Sequence, residues 1–103
     1  MYSHYKKITT LVLGYNRPNK LQKVIERLIE LDIKNIFIVI DGPKNNSDIE
    51  KNLKIKDIIS SIPKKVNLKK IIRSRNLGCQ KSVSEAISWF FKINKFGIIK
   101  HMY

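Results

Sequence analysis

Cysteine, acidic residues and long apolar runs are all scarce in this chain of 103 residues. Cys79 is the only cysteine, so neither an intrachain disulfide nor a cysteine-rich zinc site can form, and a reducing compartment is expected. The longest purely apolar run, Ile36 to Ile40, falls far short of the ~20 residues that a membrane-spanning helix needs. Lys6-Lys7 followed by Ile8 to Tyr15 mimics a short export signal. Thr9 and Thr10 interrupt that run, Asn16-Arg17-Pro18 ends it, and no small-residue cleavage site follows, so it reads as a buried strand. The expected location is cytoplasmic, with a peripheral position at the inner membrane surface open to so basic a chain. The phosphate-binding fingerprints are missing as well. No G-x-G-x-x-G follows the first strand, which argues against a dinucleotide cofactor, and no G-x-x-x-x-G-K-[ST] is present, which excludes a P-loop NTPase. The paired carboxylates that a receiver domain needs after its first strand are also absent.

What is present is enough for one small domain. Hydrophobic residues make up 43% of the chain, which excludes disorder because disorder needs few apolar residues as well as high charge. Lysine and arginine number 21 against 8 acidic residues, a formal charge of +13. The counts of 18 isoleucines, 17 lysines and 9 asparagines carry their own explanation. All three have A/T-rich codons, so a biased genome yields this profile without selection for an anionic partner. The lysines therefore read as a solvated surface and nucleic acid is not the expected partner, although a field of this sign attracts polyanions and phosphates.

The apolar pattern alternates between two periods. Ile8 to Leu13 is a short β-rich run ended by Gly14. Leu21, Val24, Ile25, Leu28 and Ile29 repeat with helical spacing, and Pro18 suits the first turn, where a missing N–H costs nothing. Ile36 to Ile40 is a second strand, ended by Asp41-Gly42-Pro43. Ser47 with Glu50 predicts a capping box opening a helix that reaches about Ile62, where Pro63 stops it. Its apolar stripe slips one step out of phase after Leu53. Val66 to Arg73 is a third strand, and Ser74 to Cys79 a loop. Val83, Ala86, Ile87, Phe90 and Phe91 mark a third helix, and Ile98-Ile99 opens a fourth strand after Gly97. Strand starts recur about every 30 residues, as right-handed βαβ units require. A run apolar on both faces, such as Ile36 to Ile40, points to a parallel sheet covered by helices.

In open parallel sheets, ligands bind outside the carboxyl ends of the strands. Three loops leave those ends here, at residues 14–18, 41–43 and 74–78. They bring one carboxylate, several amides, two arginines and glycines, a set suited to a nucleotide: a carboxylate for a base N–H, arginines and helix N-terminal amides for phosphates. Taken alone, Asp41-Gly42-Pro43 is an ordinary turn and Asn76 a loop or capping residue. Arg73 and Arg75 read as surface charges. His4 and His101 have no metal-ligand spacing. Trp89, Phe90 and Phe91 belong to a core or subunit contact, and Cys79 reads as a small buried filler at a helix start.

The segments Thr10-Leu-Val-Leu-Gly-Tyr-Asn-Arg-Pro, Ile38-Val-Ile-Asp-Gly and Arg75-Asn-Leu-Gly-Cys, in this order and spacing, resemble the front half of a GT-A fold glycosyltransferase. The similarity is to the group around N-acetylglucosaminyltransferase I and the family 2-like bacterial enzymes, and spans roughly residues 8 to 99. It implies a three-layer, Rossmann-like α/β fold with a parallel sheet ordered 3-2-1-4, and a nucleotide-sugar donor, a UDP-sugar in the first place. On this resemblance Asp41 matches the acidic residue that binds the uracil ring. Tyr15 and Arg17 match the loop that wraps the base and reaches the phosphates. Asn76 and Gly78 match the N-x-G segment that packs on the nucleotide, and Lys81, in the next helix's first turn, faces the diphosphate.

One departure matters. After the fourth strand such enzymes carry an acidic motif, D-x-D or E-D-D, that holds Mn²⁺ or Mg²⁺ on the sugar diphosphate. Here Ile98-Ile99 leads into Lys100-His101-Met102-Tyr103, and no Asp or Glu lies between Glu85 and Tyr103. The expectation is therefore one half-domain over residues 1–103, truncated or frame-disrupted after the fourth strand. It holds no cofactor and no catalytic residue of its own, with Mn or Mg belonging to a full-length relative. An exposed edge at Ile98-Ile99 favours self-association. The competing expectation is a small basic module that binds nucleic acid or anionic surfaces.

Overall fold

A computed structural model describes residues 8–103, so His4, Lys6 and Lys7 lie outside the described residues. The elements alternate: β1 (Thr9–Gly14), α1 (Pro18–Glu30), β2 (Asn35–Ile40), α2 (Asn46–Ser60), β3 (Asn67–Ile72), α3 (Cys79–Ile93) and β4 (Ile98–Met102). The four strands form one all-parallel sheet in the order β3-β2-β1-β4, as expected. Register is set by Thr10 opposite both Ile36 and Ile98, and by Ile36 opposite Leu68.

Strand alternation splits the core into two layers. Val12, Ile36, Ile38 and Ile40 point to the side covered by α1 and α2, where they meet Leu21, Ile25, Ile55 and Ile59. Leu11, Leu13, Phe37 and Val39 point to the other side, where α3 supplies Ala86 and Phe90. Every residue from Ile36 to Ile40 is buried, so β2 is covered on both faces. Phe90 is fully buried, edge-on to Phe37 at 5.1 Å between ring centres, while Phe91 is 42% exposed.

Two local expectations are corrected. The N-cap of α2 is Asn45, not Ser47: the Asn45 Oδ1 accepts from the Asp48 N–H at 3.2 Å and from the Ser47 hydroxyl at 2.6 Å, which draws Ser47 inside the first turn. The out-of-phase stripe of α2 resolves onto Asp48, Asn52, Ile55 and Ile59 as the buried face, leaving Ile49 and Leu53 about half exposed. Cys79 is exposed, not buried. The buried positions of α3 are Ser82, Ala86 and Phe90, and Cys79 is not among them.

Candidate functional site

The carboxyl ends of all four strands open onto the same edge of the sheet. The ladder runs one step past the strands there, with the Asp41 N–H donating to the Gly14 carbonyl and the Arg73 N–H to the Ile40 carbonyl, both at 2.9 Å. The loops after β1, β2 and β3 therefore leave from one level. The strand order reverses between β1 and β4, because α1 and α2 return over one face and α3 over the other.

Asp41 is completely buried and ties two of these loops together. Its Oδ1 accepts from the Gly42 and Leu77 N–H groups, both at 2.9 Å. Its Oδ2 accepts from the Asn76 side-chain amide at 3.3 Å, and that amide also donates to the Gly42 carbonyl at 2.9 Å. Gly42 permits this crossing. A Cβ there would stand 2.3 Å from the Arg75 carbonyl carbon, inside backbone that has no flexible end to move. Gly78, at φ +89°, turns the same loop into α3, a conformation that suits glycine alone among common residues.

A second buried carboxylate, which the sequence did not single out, holds the loop after β1. Asp48, in the first turn of α2, accepts from the Tyr15 hydroxyl, from the Asn16 side-chain amide at 3.0 Å and from the Lys44 N–H at 3.0 Å. The Tyr15 bond, followed by the Lys44 and Asn16 bonds, holds the Asp48 carboxyl down at about 2. Burial, reinforced by the Asp48 carboxylate, pushes the Tyr15 phenol up to about 12. The Tyr15 ring also stacks on Tyr103 at 6.0 Å and 25°, so the two aromatic residues following β1 and β4 meet where the strand order reverses. Burial raises the Tyr103 phenol to about 12 as well.

The pH consequence has two limbs. Asp48 binds its proton more weakly folded than unfolded, so its contribution to stability is present above about pH 4 and is lost as pH falls toward 2. Tyr15 and Tyr103 hold their protons more tightly folded, so their contribution is present below about pH 10 and is lost as pH rises through 12. Urea midpoints measured across pH should fall on both sides. Asp48→Asn should flatten the acid limb, and an unchanged acid limb would remove Asp48 as its source.

The expected site residues thus divide. Asp41, Asn76 and the loop leading to Gly78 are bonded together, and Tyr15 is pinned beside them. Arg17 is exposed at the start of α1, without a side-chain capping bond. Lys81 lines a shallow depression of about 650 Å³ with Gly78, Cys79 and Glu85, which includes neither Tyr15 nor Asp41. Arg73 is a structural tie: its Nε donates to the Ser82 hydroxyl at 3.1 Å, its Nη2 to the Ser82 carbonyl at 3.3 Å, and Nη1 lies 3.8 Å from Glu85. The Cys79 sulfur lies 3.9 Å from His101 Nε2.

At the end of β4 stand Lys100, His101, Met102 and Tyr103, an ammonium, an imidazole, a thioether and a phenol. This set does not fit Mn²⁺ or Mg²⁺, which want carboxylate oxygens. Among the described residues no group of three or more His, Cys, Asp or Glu is placed to hold a metal ion. No helix among them is long and apolar enough to cross a membrane. Comparison with family models, with curated proteins and with solved structures finds no significant match to this chain.

Proposed function

We propose that this chain is the nucleotide-sugar-binding part of a GT-A-type glycosyltransferase and that it holds a nucleoside diphosphate, UDP foremost, at the carboxyl edge of its sheet. The observation that carries this reading is the bonded convergence of the loops after β2 and β3 on Asp41, next to the loop after β1, where the strand order reverses. Asp41 Oδ1 is occupied by two backbone N–H groups, whereas Oδ2 has only the long Asn76 bond. Oδ2 is thus the oxygen with acceptor capacity left, and because Asp41 is fully buried a uracil ring N–H reaches it only by displacing the Asn76 amide. Arg17, exposed beside the N-terminus of α1, supplies charge for a phosphate. The donor set at the end of β4 does not suit the metal that transfer enzymes of this type use, so the reading is of donor binding and no transfer step is assigned.

Titration calorimetry with UDP, ADP and inorganic phosphate tests it. UDP is expected to bind better than ADP. Asp41→Asn, which keeps the shape of the side chain, should weaken UDP by the ~1–3 kcal/mol typical of a lost charged acceptor. Arg17→Ala, at an exposed position that leaves the fold alone, should weaken UDP and ADP alike. Equal affinity for UDP in wild type and Asp41→Asn would remove Asp41 from the site, and no preference for UDP over ADP would remove the reading.

A further inference from the structure

The side of the sheet that carries α1 and α2 is not covered evenly. Beside α1, above β4, a groove of about 330 Å³ remains open. Its floor is carbon: Ile8, Val24, Leu28, Leu31, Ile33 and Ile98. Leu31 is 40% and Ile98 54% exposed along it. Its rim is cationic, with Lys23 and Arg27 one turn apart on α1 and Lys100 facing them from β4. No acidic residue lines the groove, and none of these three cations makes an ion pair among the described residues. A second depression of about 380 Å³ shares Lys23, Val24 and Lys100 with the first and adds Lys20, His101 and Tyr103. The two depressions adjoin at Lys23, Val24 and Lys100.

We infer that this groove binds a single-chain amphiphile with an anionic headgroup, such as an alkyl phosphate, its chain on the apolar floor and its headgroup between Lys23, Arg27 and Lys100. Three considerations select this occupant. A recessed apolar strip left in water is unfavourable unless something covers it, and the cations flanking it, without an ion pair among the described residues, call for an anion at the same place. A second copy of this chain is disfavoured by the repulsion between two +13 charges. A docked amphipathic helix would need acidic residues flanking its apolar face to answer Lys23, Arg27 and Lys100, whereas one alkyl chain with a single anionic headgroup meets the floor and the rim at once. The inference stands apart from the nucleotide reading, since none of its residues is among those proposed to hold the base or phosphates.

The probe is dodecyl phosphate below its micelle concentration, followed by calorimetry and by amide chemical shifts. Binding is expected to map to α1 and β4, and to strengthen by about three- to fourfold for each CH₂ from the octyl to the dodecyl compound. Lys23→Glu/Arg27→Glu should weaken binding at least tenfold, and Ile98→Asn at least fivefold. All three positions are solvent-exposed, so the fold should survive, which circular dichroism checks. Lys92→Glu, on α3 across the sheet, should change affinity less than twofold. Displacement of the probe by inorganic phosphate at concentrations as low as those of octyl phosphate would overturn the proposal, as would equal losses in the Lys92 variant or no dependence on chain length. Binding only to anionic phosphatidylglycerol vesicles, with none to the monomeric probe, would also overturn it, because the surface would then be a membrane contact and not a chain-binding groove.

Discussion

Phe90→Ala is expected to destabilise the protein by about 3–5 kcal/mol, the range for emptying a fully buried aromatic site. Phe90 is fully buried and makes edge-to-face contacts with Phe37 and Phe91, both at 5.1 Å. Among the described residues α3 is the only helix on the face of the sheet that it covers, so no other described helix can collapse into the space. A domain of this size has a total stability of about 5–15 kcal/mol, and the variant should sit near the threshold of folding at 37 °C. Trp89, the one tryptophan, lies 5.0 Å from Phe37 in the same layer and reports the transition by fluorescence. A midpoint shift worth less than about 1 kcal/mol would show that α3 is not what closes this face.

Gly42→Ala is the second large effect, with an expected loss of about 3 kcal/mol or more, at or beyond the upper end for overpacking. The added carbon would stand 2.3 to 2.6 Å from backbone atoms of Arg75, so the loop after β3 must move as a whole. That movement would separate Asp41 from the Leu77 N–H and strand a buried carboxylate, adding to the loss. Two measurements separate the effects: urea denaturation for stability, and amide exchange at Leu77 for the bond. Wild-type protection at Leu77 in a folded Gly42→Ala variant would show that the loops do not depend on this crossing.

The architecture was legible because a local signal wrote each element. Alternating periods, a recurrence of about 30 residues and a strand apolar on both faces leave few arrangements, and right-handed crossovers remove most of those. The carboxyl edge was legible in position but not in use. Asp41 was visible as a carboxylate at a strand end, yet its burial depends on the amide of Leu77, which only folding brings near. Asp48 passed as an ordinary acid in a first turn because its partners, Tyr15 and Asn16, belong to another loop. Tyr103 carried no pattern at all, and its contact with Tyr15 follows from strand order alone. Cys79 was misread because residue size and a place at a helix start do not say which side of the helix meets the sheet; the buried positions begin at Ser82.

The central position of β1 has a consequence in time. Thr10 pairs with Ile36 on one side and with Ile98 on the other, so one flank of β1 is satisfied early in synthesis and the other late. While the chain is being made, β1, β2 and β3 can assemble with α1 and α2 and bury one layer of the core. The opposite layer, with Leu11, Leu13, Phe37 and Val39, stays bare until α3 arrives. Closing so long a separation is slow, since loop entropy opposes it until the far contacts form. The nascent protein thus passes through a half-dressed sheet whose uncovered side is apolar, and a chaperone meeting the chain before α3 emerges would find its binding surface there.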